Sequence, residues 1–187
     1  MDCQSTRIQR HTHTHTHTQF WPILFSIHNL NIEPMIIGLY CGESKPPTPN
    51  EFLTSFVNEL LIFLNNGIII NGYKINIRVR CFICDTPARC FIKGTVNFNS
   101  YSSCLKCTTT GEYYYKEHRI SFPHIDMPRR TDTTFRNRTD PDHYKMDTLL
   151  KKLPIDMIKS IPVSDSLHLL DLENKKVFEW ETTHCHK

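Results

Sequence analysis

The clearest pattern in the chain is an alternation. Tyr73, Ile75, Ile77, Val79, Cys81 and Ile83 take every second position, with Lys74, Asn76, Arg78 and Arg80 between them. Successive side chains of a strand point to opposite faces, so this period of two predicts a β-strand over about residues 73–84. The alternation fails at Phe82 and Cys84, leaving an end that is apolar on both faces, as in a strand entering a sheet centre. Asp85 stands at that end, and Thr86-Pro87 opens a short helix with proline at its first position.

Upstream, Phe20–Ile27 and Pro34–Tyr40 are aromatic and β-branched enough for strands, predicted at about 20–28 and 34–41. Gly42, Pro46, Pro47 and Pro49 make Cys41–Asn50 a loop. Asn50 is an N-cap residue and Glu51 falls in the first turn, where the helix dipole favours a carboxylate. Leu53, Phe56, Val57, Leu60, Leu61 and Leu64 then recur at helical spacing, predicting a helix over about 50–65 that Asn65-Asn66-Gly67 ends. Strand, strand, helix, strand implies an α/β fold, with a mixed sheet and a crossover helix.

The second half lacks such periods. Gly94 to Asp147 is polar and rich in Tyr, Thr, Arg and His, with short helices predicted at 132–138 and 147–152. Apolar residues between Met157 and Leu172 are scattered around Pro162. At the start of the chain His and Thr alternate from His11 to Thr18, through a stretch with no core-forming residues, which predicts disorder. A translated dinucleotide repeat accounts for that tract, and a histidine metal tract is the other reading. The organisation expected is a disordered head at 1–18, a core at 19–95, a Cys/His-containing region at 96–172 and a disordered tail at 173–187.

Composition changes this picture little. The chain has 187 residues, 39% of them apolar and 22% charged, ordinary values for one soluble globular domain. A net charge of +3 is too small to argue for a nucleic-acid partner by itself. No apolar run reaches the roughly 18–20 residues of a membrane helix, and no secretory signal follows Arg7 and Arg10. The eight cysteines are scattered, so an intracellular, reduced protein without a membrane is expected.

Local chemistry is concentrated in a few places. Cys104-x-x-Cys107 is half of a zinc site, since two thiolates on a tight turn share one tetrahedral ion, with His118, His124 and His143 as further candidates. Two free thiols in a polar loop is the plainer reading. Cys81-x-x-Cys84 has the same spacing, but on a strand its side chains face opposite ways and serve as small apolar core residues. Arg78, Arg80, Arg89 and Lys93 with Lys74, and Arg129 and Arg130 with Arg136 and Arg138 near Tyr113–Tyr115, interleave charge with aromatic rings. That mixture suits phosphate contact and base stacking, so DNA is a candidate partner, against the default of a solvated face.

Read in order, several blocks resemble a known family. They include Gln19-Phe20-Trp21-Pro22-Ile23-Leu24, Ile37-Gly38-Leu39-Tyr40-Cys41-Gly42, Cys84-Asp85-Thr86-Pro87-Ala88-Arg89 and Tyr101-Ser102-Ser103-Cys104-Leu105-Lys106-Cys107. Gly111-Glu112-Tyr113, Arg130-Thr131-Asp132 and Asp165-Ser166-Leu167-His168-Leu169 continue the series. The order and spacing over residues 19–172 resemble transposase-derived proteins of insect genomes, similar to CACTA-type DDE transposases.

The resemblance implies a partial RNase H-like core at 19–95, followed by an irregular, zinc-stabilised insertion. It also implies two magnesium ions in the intact ancestral enzyme, held by carboxylates on three separate elements for phosphodiester attack. Asp85 matches the second of these positions, although Asp before Thr-Pro is also a helix cap. The only acid ahead of Trp21 is Asp2, and after Leu172 the chain departs from the family pattern. The expectation is a truncated, catalytically inactive transposase fragment retaining weak DNA binding, nuclear if functional. Within the family likeness His143 is the favoured partner of Cys104 and Cys107. A small zinc-dependent nucleic-acid-binding or protein-interaction module is the alternative.

Overall fold

The structure, a computed structural model, describes residues 18–28, 30, 32–124 and 126–163. The expected disordered tail, the block at 165–169 and nearly all of the His-Thr head lie outside the described residues. The chain divides into two compact units at Pro46/Pro47. The fold is α/β.

In the first unit, β1 (Gln19–Phe25) pairs antiparallel with β2 (Met35–Gly42), close to the two strands predicted. Trp21 lies opposite Tyr40 and Ile23 opposite Gly38, and the register shifts between Ile23 and Leu24. The two strands form a two-stranded antiparallel sheet, not part of a mixed sheet with a crossover.

The second unit opens on α1 (Pro49–Asn66). Its N-cap is Thr48, whose hydroxyl accepts the Glu51 N–H at 3.1 Å. Asn50, expected as the cap, sits inside the helix, and its side-chain oxygen accepts the Leu149 N–H at 2.9 Å instead. Leu53 and Val57, from the predicted apolar face, are buried. Gly67 ends the helix at φ 70°, its amide reaching the Phe63 carbonyl. There follows a hairpin of β3 (Ile68–Ile70) and β4 (Tyr73–Ile75), joined by Asn71 and Gly72 at φ 51° and 82°. Positive φ at both central residues is the two-residue turn whose twist matches flanking strands, and Asn-Gly is its commonest sequence.

The predicted strand at 73–84 is therefore a correction: only Tyr73–Ile75 is strand, and residues 76–85 are without regular structure. Alternation assigns faces, but a strand also needs a ladder partner for its backbone groups. The turn at Asn71-Gly72 offers β3 as that partner, and β3 is three residues long. Beyond it the chain is tied at Phe82, whose amide donates to the Ser160 carbonyl at 2.8 Å, and whose ring meets Phe56 edge-on. Cys81, expected in a core strand, is exposed.

Asp85 starts α2 (Thr86–Lys93), accepting the Ala88 N–H at 2.8 Å, and Gly94 closes it in the left-handed conformation. A Cβ on Gly94 would collide with the Met146 carbonyl oxygen, so the residue there must be small as well as left-handed. Phe52 of α1 and Phe91 of α2 bring the helices together, with ring centroids 6.2 Å apart.

The remaining chain, 94–163, is built from β5 (Glu112–Tyr114), β6 (Arg119–Ser121), α3 (Asp132–Arg136) and 3-10 turns at Pro141–His143 and Leu149–Lys152. This region, expected to be an insertion, holds much of the core: Leu105, Phe135, Leu150, Leu153, Met157 and Ile161 are buried. Its irregular backbone is anchored by side chains. Arg136 donates to the carbonyls of Lys151 and Ile155 and pairs with Asp132, which also accepts the Met157 amide. Among the described residues no helix is long and apolar enough to cross a membrane.

Candidate functional site

Two antiparallel contacts place the candidate ligands. Lys145 and Met146 donate amides to the Gly94 carbonyl, Val96 donates to the His143 carbonyl, and Thr95 bridges to Tyr144. This lays His143 against the exit of α2. Further on, Arg130 donates its amide to the Lys106 carbonyl, Thr108 donates to Pro128, and Cys107 bridges to Arg129. The segment 109–127 is thus an excursion whose base is the Cys104–Cys107 turn.

That turn holds the two sulfurs 3.4 Å apart, and the Cys107 amide points at Cys104 Sγ, also at 3.4 Å. The S···S separation is far outside a disulfide bond of about 2.05 Å. Two thiolates on one tetrahedral zinc, at Zn–S of about 2.3 Å, lie about 3.8 Å apart, close to the separation seen.

His143 is fully buried, and its Nδ1 lies 2.7 Å from the Ser102 carbonyl oxygen, two residues before Cys104. A carbonyl only accepts, so Nδ1 carries the proton and Nε2 presents a bare lone pair. Nε2 is buried and has no hydrogen-bond partner. Burial, with the charges of Arg130 and Lys93 adding to it, holds the imidazole down to about 4, against the opposing pull of the Ser102 bond and Asp140. The ring is therefore neutral at physiological pH, in the tautomer that metal-bound histidines adopt.

Arg130 connects the two halves. Its Nε donates to the Cys104 carbonyl at 2.9 Å, and its other arm pairs with Asp140 at 2.6 Å. Among the described residues no three His, Cys, Asp or Glu side chains already converge as a metal site. The two thiols are brought together, and His143 is tied to Ser102, two residues before Cys104. His118 and His124, the other candidates, face hairpin neighbours: Tyr113 Oη at 3.3 Å and Glu112 at 3.4 Å.

Three of the residues read as nucleic-acid contacts point inward, a correction to the sequence reading. Arg89 and Lys93 are each 2% exposed and Arg130 is 6% exposed. Arg89 donates to the Cys84 carbonyl at 2.7 Å, and the Lys93 ammonium lies 5.0 Å over the Phe135 ring. The physical reason is position: Arg89 and Lys93 fall one turn apart on the buried face of α2, and Arg130 cross-links two loops. Arg78, Arg80 and Arg129 are exposed. For Arg130 a sequence signal exists in the polar second half, whose irregular loops leave carbonyls such as that of Cys104 to side-chain donors.

Asp85 serves α2 as its cap. Asp165, the acid of the later family block, lies outside the described residues. A two-magnesium site needs several carboxylates together, and the described residues do not offer one around Asp85. No protein-family model, curated protein or solved structure matches the chain.

Proposed function

We propose that the chain derives from a DDE-type DNA transposase, does not carry out cleavage or strand transfer, and works as a small zinc-dependent nucleic-acid-binding module. The RNase H-like ancestry of residues 19–95 is part of this proposal and rests on the ordered sequence blocks. The observation that carries the zinc reading is His143: a buried Nε2 without a partner costs about 1–3 kcal/mol unless something binds it. A cation held with Cys104 and Cys107 accounts for that atom, for the paired sulfurs and for the proton on Nδ1. Zinc would contribute folding energy, closing the turn at 104–107 onto the 143–146 segment. The exposed Arg78, Arg80 and Arg129 would supply phosphate contacts in a reduced, nuclear setting.

The test is metal content by mass spectrometry on the full chain beside Cys104→Ser and His143→Ala. The His-Thr repeat is common to all three, so differences report the site alone. The expected result is a loss of about one zinc per chain in each variant, and chelation lowering the melting temperature of the wild type. Equal zinc in wild type and variants would overturn the reading.

A further inference from the structure

The excursion rising from the cysteine turn ends in a hairpin whose tip is neither core nor cap. β5 and β6 pair Tyr113 with Ile120 and Tyr114 with Arg119, and residues 115–118 form the loop. Tyr113 and Tyr115 are two apart and share a face, with ring centroids 5.0 Å apart at 84°. The Tyr113 hydroxyl is tied to His118 Nδ1 at 3.3 Å, and His118 turns the loop at φ 50°. Tyr115 is thereby held against a neighbouring ring while the residue stays 81% exposed. An aromatic side chain of this size held open to water at a fixed place is a surface for another flat group.

Charge narrows what that group is. Lys116 and Arg119 stand on the loop and on β6, both exposed, and Arg129 is exposed at the base beside the Cys107 bridge. Over residues 106–129 there are four basic and three acidic residues, the acids being Glu112, Glu117 and Asp126. The excess is slight. Duplex DNA hides its bases and is bound by phosphate contacts that need a strong basic face. A single strand offers unpaired bases as well, and stacking on exposed rings adds about 1–3 kcal/mol per base to what modest charge supplies.

We infer that the Tyr113–Tyr115 hairpin is a stacking platform for single-stranded nucleic acid, with Tyr115 receiving a base and Lys116 and Arg119 meeting the adjoining phosphates. This rests on the nucleic-acid reading above and makes its substrate specific. It does not depend on Arg89, Lys93 or Arg130, which are inside. It also assigns the cysteine turn a place in the same device, as the base from which the hairpin stands.

The test is fluorescence anisotropy with the full chain at neutral pH, on labelled oligothymidylate of about 20 nucleotides and on a duplex of the same length. Single strand should bind about tenfold or more tightly than duplex, and Tyr115→Ala should weaken it about 5- to 100-fold. Tyr115→Phe should restore binding, because the ring and not the hydroxyl stacks. Lys116→Ala should weaken binding evenly and lower the salt dependence by about one phosphate contact. Zinc content, measured alongside, should be unchanged in all these variants. A zinc-containing chain that does not bind the single strand, binds duplex equally well, or ignores Tyr115→Ala overturns this inference while leaving the zinc reading standing. Binding through Tyr115 by a chain without zinc overturns the zinc reading alone.

Discussion

The imidazole of His143 lies 2.7 Å from the Ser102 carbonyl oxygen through Nδ1, with its opposite nitrogen buried and unpartnered. In the metal-free chain this arrangement makes folding pH-dependent. The folded imidazole titrates at about 4 against an ordinary 6.5, so below pH 6.5 the unfolded chain takes up a proton that the folded chain refuses. Stability from this residue is full above about pH 6.5 and is lost as pH falls towards 4, by about 3 kcal/mol at the lower limit. Denaturant melts of wild type and His143→Gln between these pH values should show the loss only in the wild type. Parallel pH dependences would contradict the assignment.

Lys93 makes a second linkage. Burial, followed by the charge of Arg89, lowers its ammonium to about 8 from 10.5. Between those values the folded chain has released a proton that the unfolded chain still holds, so stability should rise as pH increases from 8 to 10.5. Below pH 8 the folded state carries a buried cation, offset in part by the Phe135 ring 5.0 Å away. Lys93→Met fills the same space without the charge. It should stabilise the protein at pH 7 by about 1–3 kcal/mol and remove the alkaline rise. A destabilised Lys93→Met would show that the ammonium has a partner that outweighs its burial.

Gly94 tests whether the segment placing His143 is under tight backbone control. At φ 67°, with the Met146 carbonyl oxygen where a Cβ would stand, alanine meets both backbone strain and a collision. Gly94→Ala should cost about 2 kcal/mol or more, read as a shift in denaturant midpoint with unchanged slope. In metal analysis it should weaken zinc retention as well, since Gly94 holds Lys145 and Met146 by their amides.

How far this architecture can be read from sequence depends on where backbone groups find partners. α1 was legible because a helix satisfies itself, and its six apolar positions and Gly67 follow directly from helical geometry. The Asn71-Gly72 turn is equally legible, since Ile68–Ile70 and Tyr73–Ile75 flank it, but the alternation runs on past β4 to Ile83. That alternation is real, but Arg78, Arg80 and Ile83 are exposed around a backbone without a ladder. The core of residues 94–163 has no period to read. Leu150, Leu153 and Met157 are buried from 3-10 turns and loops, and what orders them is Arg136 and Asp132 bonding to backbone far along the chain. The candidate site divides likewise: Cys104 and Cys107 are close in sequence, whereas the anchoring of His143 on Ser102 spans 41 residues.

Asp85 decides the question of catalysis. Its carboxylate accepts the Ala88 amide at 2.8 Å, the bond of an N-cap, and this use needs no metal. Asp85→Ala should therefore destabilise the fold by about 0.5–2 kcal/mol, while Asp85→Asn and Asp85→Ser, also good caps, should cost little. A metal ligand would behave otherwise, since asparagine removes the charge that binds magnesium. The two experiments are linked. With magnesium or manganese, wild type, Asp85→Asn and Asp85→Ala should all leave labelled supercoiled DNA unnicked, because the displacement needs two ions flanked by several carboxylates. Metal-dependent nicking in the wild type, lost in Asp85→Asn although that variant folds as stably, would show a working acid at this position and overturn the claim of absent cleavage chemistry.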